Sequence, residues 1–220
     1  MIRTTIVGYG ELNLKLTQTY IYRLDNYLSS YYPGISWNIY NETLRGATTR
    51  EMLKNLKDRV LDYNPNIVFI NISSNDSCST SNNLICLKEF EENLIEMVKE
   101  IKVHNNRTGL NGCIPIPLFI SPAPINEMIT GVLRTNNRLK QYVYVIKKIA
   151  SEQKIPIIDL FDVLLAKEDY TQYIGEDGFS LSQKGHDLLY DLVFMELTKI
   201  INYQGVLKDR DVIRDNDFRS

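Results

Sequence analysis

Ile67-Val68-Phe69-Ile70-Asn71-Ile72 is an apolar run that only Asn71 interrupts. A membrane helix needs about 18 apolar residues, so this run is strand-length. A short, continuously apolar segment is what a strand covered on both faces looks like. Similar runs recur at residues 4–7, 37–40, 116–121 and 157–160. Between them the apolar side chains switch to helical spacing. One stripe is Leu16, Tyr20, Leu24, Tyr27 and Leu28; the next is Met52, Leu53, Leu56 and Val60. Three more follow: Phe90, Leu94, Met97, Val98 and Ile101; Leu139, Tyr142, Val143, Ile146 and Ile149; and Leu189, Leu192, Val193, Leu197 and Ile200. Thr48 with Glu51 three residues on forms a capping box before the second stripe. Pro33-Gly34, Asn64-Pro65 and Pro156 mark boundaries. Strands alternating with helices predict an α/β fold, a three-layer α/β/α sandwich around a parallel sheet of about five strands.

The bulk properties agree. The chain has 220 residues, 44% apolar and 24% charged, the composition of a globular protein with a real core. At about 150 residues per domain, one domain is expected over residues 1–206, followed by a charged tail at 207–220. A formal net charge of −2 gives no electrostatic footprint for nucleic acid. No run suits a membrane, and the opening residues pass directly into a strand pattern without the pattern of a secretory leader. Cys78, Cys86 and Cys113 lack metal-ligand spacing, and there are only two histidines. The expectation is a cytoplasmic protein with reduced thiols, no metal, no cofactor, and neither a nucleic-acid nor a membrane partner.

In open parallel sheets, ligands bind beyond the carboxyl ends of the strands. The residues at those ends are Gly8-Tyr9-Gly10-Glu11, Asn41 to Gly46, Ser73-Ser74-Asn75-Asp76 and Ser121-Pro122-Ala123-Pro124, with Gly175 to His186 before the last helix. These blocks, in this order, resemble the SGNH/GDSL hydrolase family. Asp177-Gly178-Phe179-Ser180-Leu181-Ser182-Gln183-Lys184-Gly185-His186 looks like the family's Asp-Gly-x-His-Leu-x-x-x-Gly-His block. Arg45-Gly46-Ala47-Thr48-Thr49 looks like its second block and Ser73-Ser74-Asn75-Asp76 like its Gly-x-Asn-Asp block. The resemblance implies a flavodoxin-like fold. It also implies a serine nucleophile after the first strand, a histidine base three residues after an aspartate, and an oxyanion hole built from the Gly46 amide and the Asn75 side chain.

Three positions depart from that pattern, one of them Ser73, which stands where the third block has its first Gly. Gly8-Tyr9-Gly10 stands where the family reads Gly-Asp-Ser, so the nucleophile falls on Gly10. Sliding the register to Gly10-Glu11-Leu12 supplies no serine either. The base falls on Ser180. Asp177 is retained without its histidine and needs another donor, for which the Ser180 hydroxyl is the nearest candidate. A hydroxyl without an adjacent base is a poor nucleophile near neutral pH, and loss of a triad member forfeits several orders of magnitude in rate.

Tyr9, Glu11, Ser73, Ser74 and Asp76 are the remaining expected cleft-lining residues. Glu11, Asp76 and Asp177 are candidates to converge, and paired carboxylates in a cleft suit glycoside chemistry. His186 is expected to pack or cap at the last helix, Cys78 to lie near the mouth, and Arg134 to Arg138 to form a solvated helix start. The leading expectation is a non-hydrolytic protein binding a small polar ligand or a protein partner in the old cleft. The alternatives are an ester or acyl-sugar hydrolase with a relocated nucleophile or reassigned carboxylates, and a scaffold whose outer helices mediate assembly.

Overall fold

The structure is a computed structural model describing residues 2–11, 19–80, 83–104 and 114–203. Leu16, Cys113 and the tail 207–220 lie outside the described residues. Five strands form one parallel sheet: β1 (Ile2–Gly10), β2 (Ile35–Thr43), β3 (Ile67–Asn71), β4 (Ile116–Ile120) and β5 (Ile157–Ile158). Their order is β2-β1-β3-β4-β5, the doubly wound order of flavodoxin-like folds. The strand order reverses between β1 and β3, where Gly10 pairs with Asn71.

The described residues form seven α-helices: α1 (Tyr20–Tyr31), α2 (Thr49–Arg59), α3 (Leu87–Val103), α4 (Glu127–Thr130), α5 (Asn136–Gln153), α6 (Leu160–Leu165) and α7 (Gln183–Tyr203), of which the short α4 buries no side chain. Successive strand residues point to opposite faces, and the two cores divide on that parity. Ile6, Ile67 and Phe69 pack with Leu24, Leu28, Leu164, Val193 and Leu197 of α1, α6 and α7. Val7, Tyr9, Val68 and Ile70 pack with Met52, Leu56, Phe90, Leu94, Met97 and Ile146 of α2, α3 and α5.

Three boundaries differ from the sequence expectation. β1 and β2 pair over nine positions each, from Ile2 opposite Ile35 to Gly10 opposite Thr43. β1 extends beyond its apolar run through Arg3 and through Gly8 to Gly10, and β2, a half-exposed edge strand, extends beyond its own through Asn41 to Thr43. The strand expected over 157–160 stops at Ile158, because Asp159 caps α6 by accepting from the Asp162 amide. Tyr27 of the first stripe is exposed and meets Tyr190 edge-on rather than entering the core. The capping box forms as read: the Glu51 carboxylate accepts from the Thr48 amide at 2.7 Å.

Gly10 ends β1 with φ +111°. A Cβ there falls inside the van der Waals shell of the Asn71 carbonyl oxygen and 2.9 Å from Met52 Cε. Gly46 also has a positive φ, +76°, but nothing lies within 4 Å of its Cβ position. Gly46→Ala is therefore expected to cost only the backbone strain, about 1 kcal/mol. Gly10→Ala adds a collision with β3 and is expected to cost about 3 kcal/mol or more. Urea denaturation of the two variants measures the difference.

Candidate functional site

The carboxyl ends of β1, β3 and β4 open into a small cleft of about 60 Å³. That is room for a few waters or a chain of a few carbon atoms. Glu11, Asn71, Ser73, Ser74, Ser121, Ser180 and His186 supply its polar lining, and Ile72, Ile120, Phe179 and Leu189 are among its apolar walls.

Glu11 follows the strained Gly10, and its own amide donates to Asn71 O at 3.2 Å. That fixes the carboxylate against α2's approach loop. Its Oε2 accepts from the Gly46 amide at 2.6 Å and from Asn75 Nδ2 at 3.1 Å. The two groups that the family resemblance assigns to an oxyanion hole thus both donate to a side chain of this chain itself. Burial pushes the Glu11 carboxyl above its ordinary range, against the pull of the Gly46 and Asn75 bonds and of the Arg134 and Arg45 charges.

Arg134 sets the orientation of Asn75. Its Nη2 donates to Asn75 Oδ1 and its Nη1 to Ser74 Oγ, both at 2.8 Å. A guanidinium only donates, so the amide oxygen must face it and Nδ2 must face Glu11 and the Ala47 carbonyl. The guanidinium also lies 4.2 Å over the Phe179 ring. The backbone of Asn75 is held in turn by Ser73 Oγ, which accepts its amide at 3.1 Å.

Behind the cleft-lining Ser180, Asp177 has the donor expected from sequence. Its Oδ2 accepts from Ser180 Oγ at 2.7 Å, and its Oδ1 from the Ser180 and Phe179 amides at 2.8 and 3.0 Å. Burial opposes ionisation, but the Ser180 and Phe179 bonds and the Arg134 charge outweigh it and hold the carboxyl below its usual range.

Other expected residues lie elsewhere. Tyr9 is not in the cleft. It is fully buried on the α2 side of the sheet, with its hydroxyl on the Met52 carbonyl at 2.5 Å. Asp76 is not in the cleft either. It is buried at the start of α2, accepting the Thr49 amide at 3.0 Å and the Thr49 hydroxyl at 2.5 Å. Burial pushes its carboxyl up to about 6, with the Thr49 bonds pulling the other way. Of the three carboxylates expected to converge, only Glu11 lines the cleft, and the spacing for glycoside chemistry is not formed. Cys78 is buried outside the cleft lining. Arg134 and Arg138 are no solvated helix start: Arg138 Nη1 donates to the Ser77 and Leu133 carbonyls at 3.1 Å. No group of His, Cys, Asp and Glu among the described residues is arranged to hold a metal. No helix among them is long and apolar enough to cross a membrane.

His186 is a residue whose place the sequence did not reveal. It is 1% exposed, lines the cleft, and has no hydrogen-bond partner on either ring nitrogen among the described residues. It therefore packs but does not cap. Burial pulls its pKa down to about 4, with Asp187 opposing. The folded value lies below the unfolded value of about 6.5. Its contribution to stability is therefore complete above about pH 6.5 and is lost as pH falls from about 6.5 toward 4. His186→Phe keeps the packed ring and removes the titration. Between pH 7 and 4.5 it is expected to lose about 2–3 kcal/mol less stability than the parent, measured by urea midpoints at the two pH values.

The model of the GDSL-like Lipase/Acylhydrolase family matches residues 5–188. The isoamyl acetate-hydrolyzing esterase of Saccharomyces cerevisiae is 30% identical over 202 residues, covering 81% of this chain and 79% of the yeast protein. A GDSL esterase/lipase of Arabidopsis thaliana is 22% identical, covering 83% of this chain and 70% of its own length. Among solved structures, a lipase/acylhydrolase from Enterococcus faecalis superposes with a TM-score of 0.73 at 24% identity, covering 90% of this chain and 95% of that one. The acetylxylan esterase of Geobacillus stearothermophilus gives 0.68 at 20% identity, with 88% and 93% covered. At these identities the structural likenesses speak for the fold. The sequence matches go further, and this chain belongs to the GDSL-like lipase/acylhydrolase family.

Proposed function

We propose that this family member is non-hydrolytic and uses the cleft to bind a small polar ligand. The observation that carries the reading is Glu11 Oε2, seated on the Gly46 amide and Asn75 Nδ2. An ester carbonyl needs those donors free, because they act on charge that develops in the transition state. Here they already serve a carboxylate, and an approaching oxyanion also meets its charge. Two further observations support the reading. Gly10, at the position assigned to the nucleophile, has no side chain and no space for one. Ser180, at the position assigned to the base, gives its hydroxyl proton to Asp177 and is no proton acceptor near neutral pH.

A second reading, ester or acyl-sugar hydrolysis with a reassigned carboxylate, is favoured by the same oxygen, since Glu11 Oε2 is a side-chain oxygen within reach of both donors. The yeast relative is named for isoamyl acetate hydrolysis and a structural neighbour for acetylxylan. Against it, the bonds that hold Oε2 also withdraw the lone pairs an attack would use.

Hydrolysis of p-nitrophenyl acetate separates the two. The parent protein is expected to stay within about twofold of the buffer rate, and Glu11→Gln to leave it there. Gly10→Ser with Ser180→His is expected to recover less than about tenfold, because position 10 has no room for the new Cβ. Parent turnover orders of magnitude above buffer, abolished by Glu11→Gln, decides for the second reading.

A further inference from the structure

Glu11 fills the donor pair with one oxygen only. Its other oxygen, Oε1, has no partner among the described residues, and Glu11 lines the cleft. The Gly46 and Asn75 donors lie behind Oε2 and do not themselves line the cleft, so what the cleft meets on this side is a carboxylate acceptor and not two N–H donors.

Three further observations narrow the complement. Among the described residues no lysine or arginine lines the cleft, so an anion finds no counter-charge there, and the Arg134 and Arg45 guanidiniums nearby lessen the pull of Glu11 on a cation. His186, buried and unpartnered in the same lining, is neutral at pH 7 and brings one donor and one acceptor. A hydroxyl donates once, so it accepts from the His186 N–H while giving its own hydrogen to Glu11 Oε1. Ile72, Ile120, Leu160, Leu181 and Leu189 give the cleft an aliphatic side beside its serines, and about 60 Å³ of inner space suits an occupant of a few carbon atoms.

We propose that the cleft binds a short-chain aliphatic alcohol, whose hydroxyl donates to Glu11 Oε1 and whose carbon chain lies against the aliphatic wall, and that Glu11 excludes the carboxylate of equal length. This rests on the non-hydrolytic reading and names the ligand class of the same site.

Propan-1-ol and propionate, matched in carbon number, test it by titration of the full-length ¹⁵N-labelled protein, followed by amide chemical shifts. The parent is expected to bind propan-1-ol at least tenfold more tightly than propionate. Glu11→Ala, which frees the Gly46 and Asn75 donors, is expected to invert that ratio. Glu11→Gln keeps the donors filled and removes the free acceptor, so it weakens propan-1-ol several-fold and still excludes propionate. Glu11→Gln also covers the case in which the alanine variant does not fold. No saturable propan-1-ol binding to the parent, equal binding of both probes, or a ratio that neither variant changes overturns the proposal. Ester turnover by the parent overturns only the non-hydrolytic reading, because the alcohol-to-propionate ratio is measured without an ester present.

Discussion

One carboxylate oxygen between two N–H groups organises the mouth of this sheet. Glu11 Oε2 ties the end of β1 to the loop before α2 through Gly46 and to the turn after β3 through Asn75. Both donors are placed to receive negative charge, and neither has to reorganise to do so. Arg134 then determines which way the Asn75 amide faces, since its own donors leave only the oxygen to meet it. The same guanidinium covers Phe179, beside the Asp177–Ser180 pair. The two halves of the site are therefore linked through one positive charge, and the negative charge of Glu11 balances it.

The sheet could be read from the sequence to the extent that helices cover it. β3 and β4 are buried on both faces, Ile116 only partly, and appear as short, nearly continuous apolar runs. β2, at an edge, spends half its length in solvent and lost its ends to polar residues. β5 is two residues long, and its apparent extension was the apolar start of α6. Helical stripes were clearest for α3 and α5, whose inward faces are wholly buried. Tyr27 failed because a tyrosine at helical spacing also serves as a surface ring.

The site was legible where its contacts are local and obscure where they are not. Asp177 and Ser180 lie three residues apart, and their bond followed from that spacing. Arg134 reaches Asn75 across 59 positions, and nothing in a run of Arg, Thr and Asn announces the meeting. His186 looked like a helix-start residue because its one-dimensional neighbourhood shows the turn and not the cleft. Tyr9 was different: strand parity placed it beside Val7 on the α2 face all along, opposite Ile6. Asp76 follows Asn75 in sequence but turns inward to the amide end of α2.

The backbone at Gly10 sets a limit on what can be built at this sheet mouth. The folded chain has no volume for a first side-chain carbon there, between β3 and α2. Any larger residue at that position requires the two strand ends to move apart together. Redesign of the cleft therefore begins with the spacing of β1 and β3, before any choice of reacting groups.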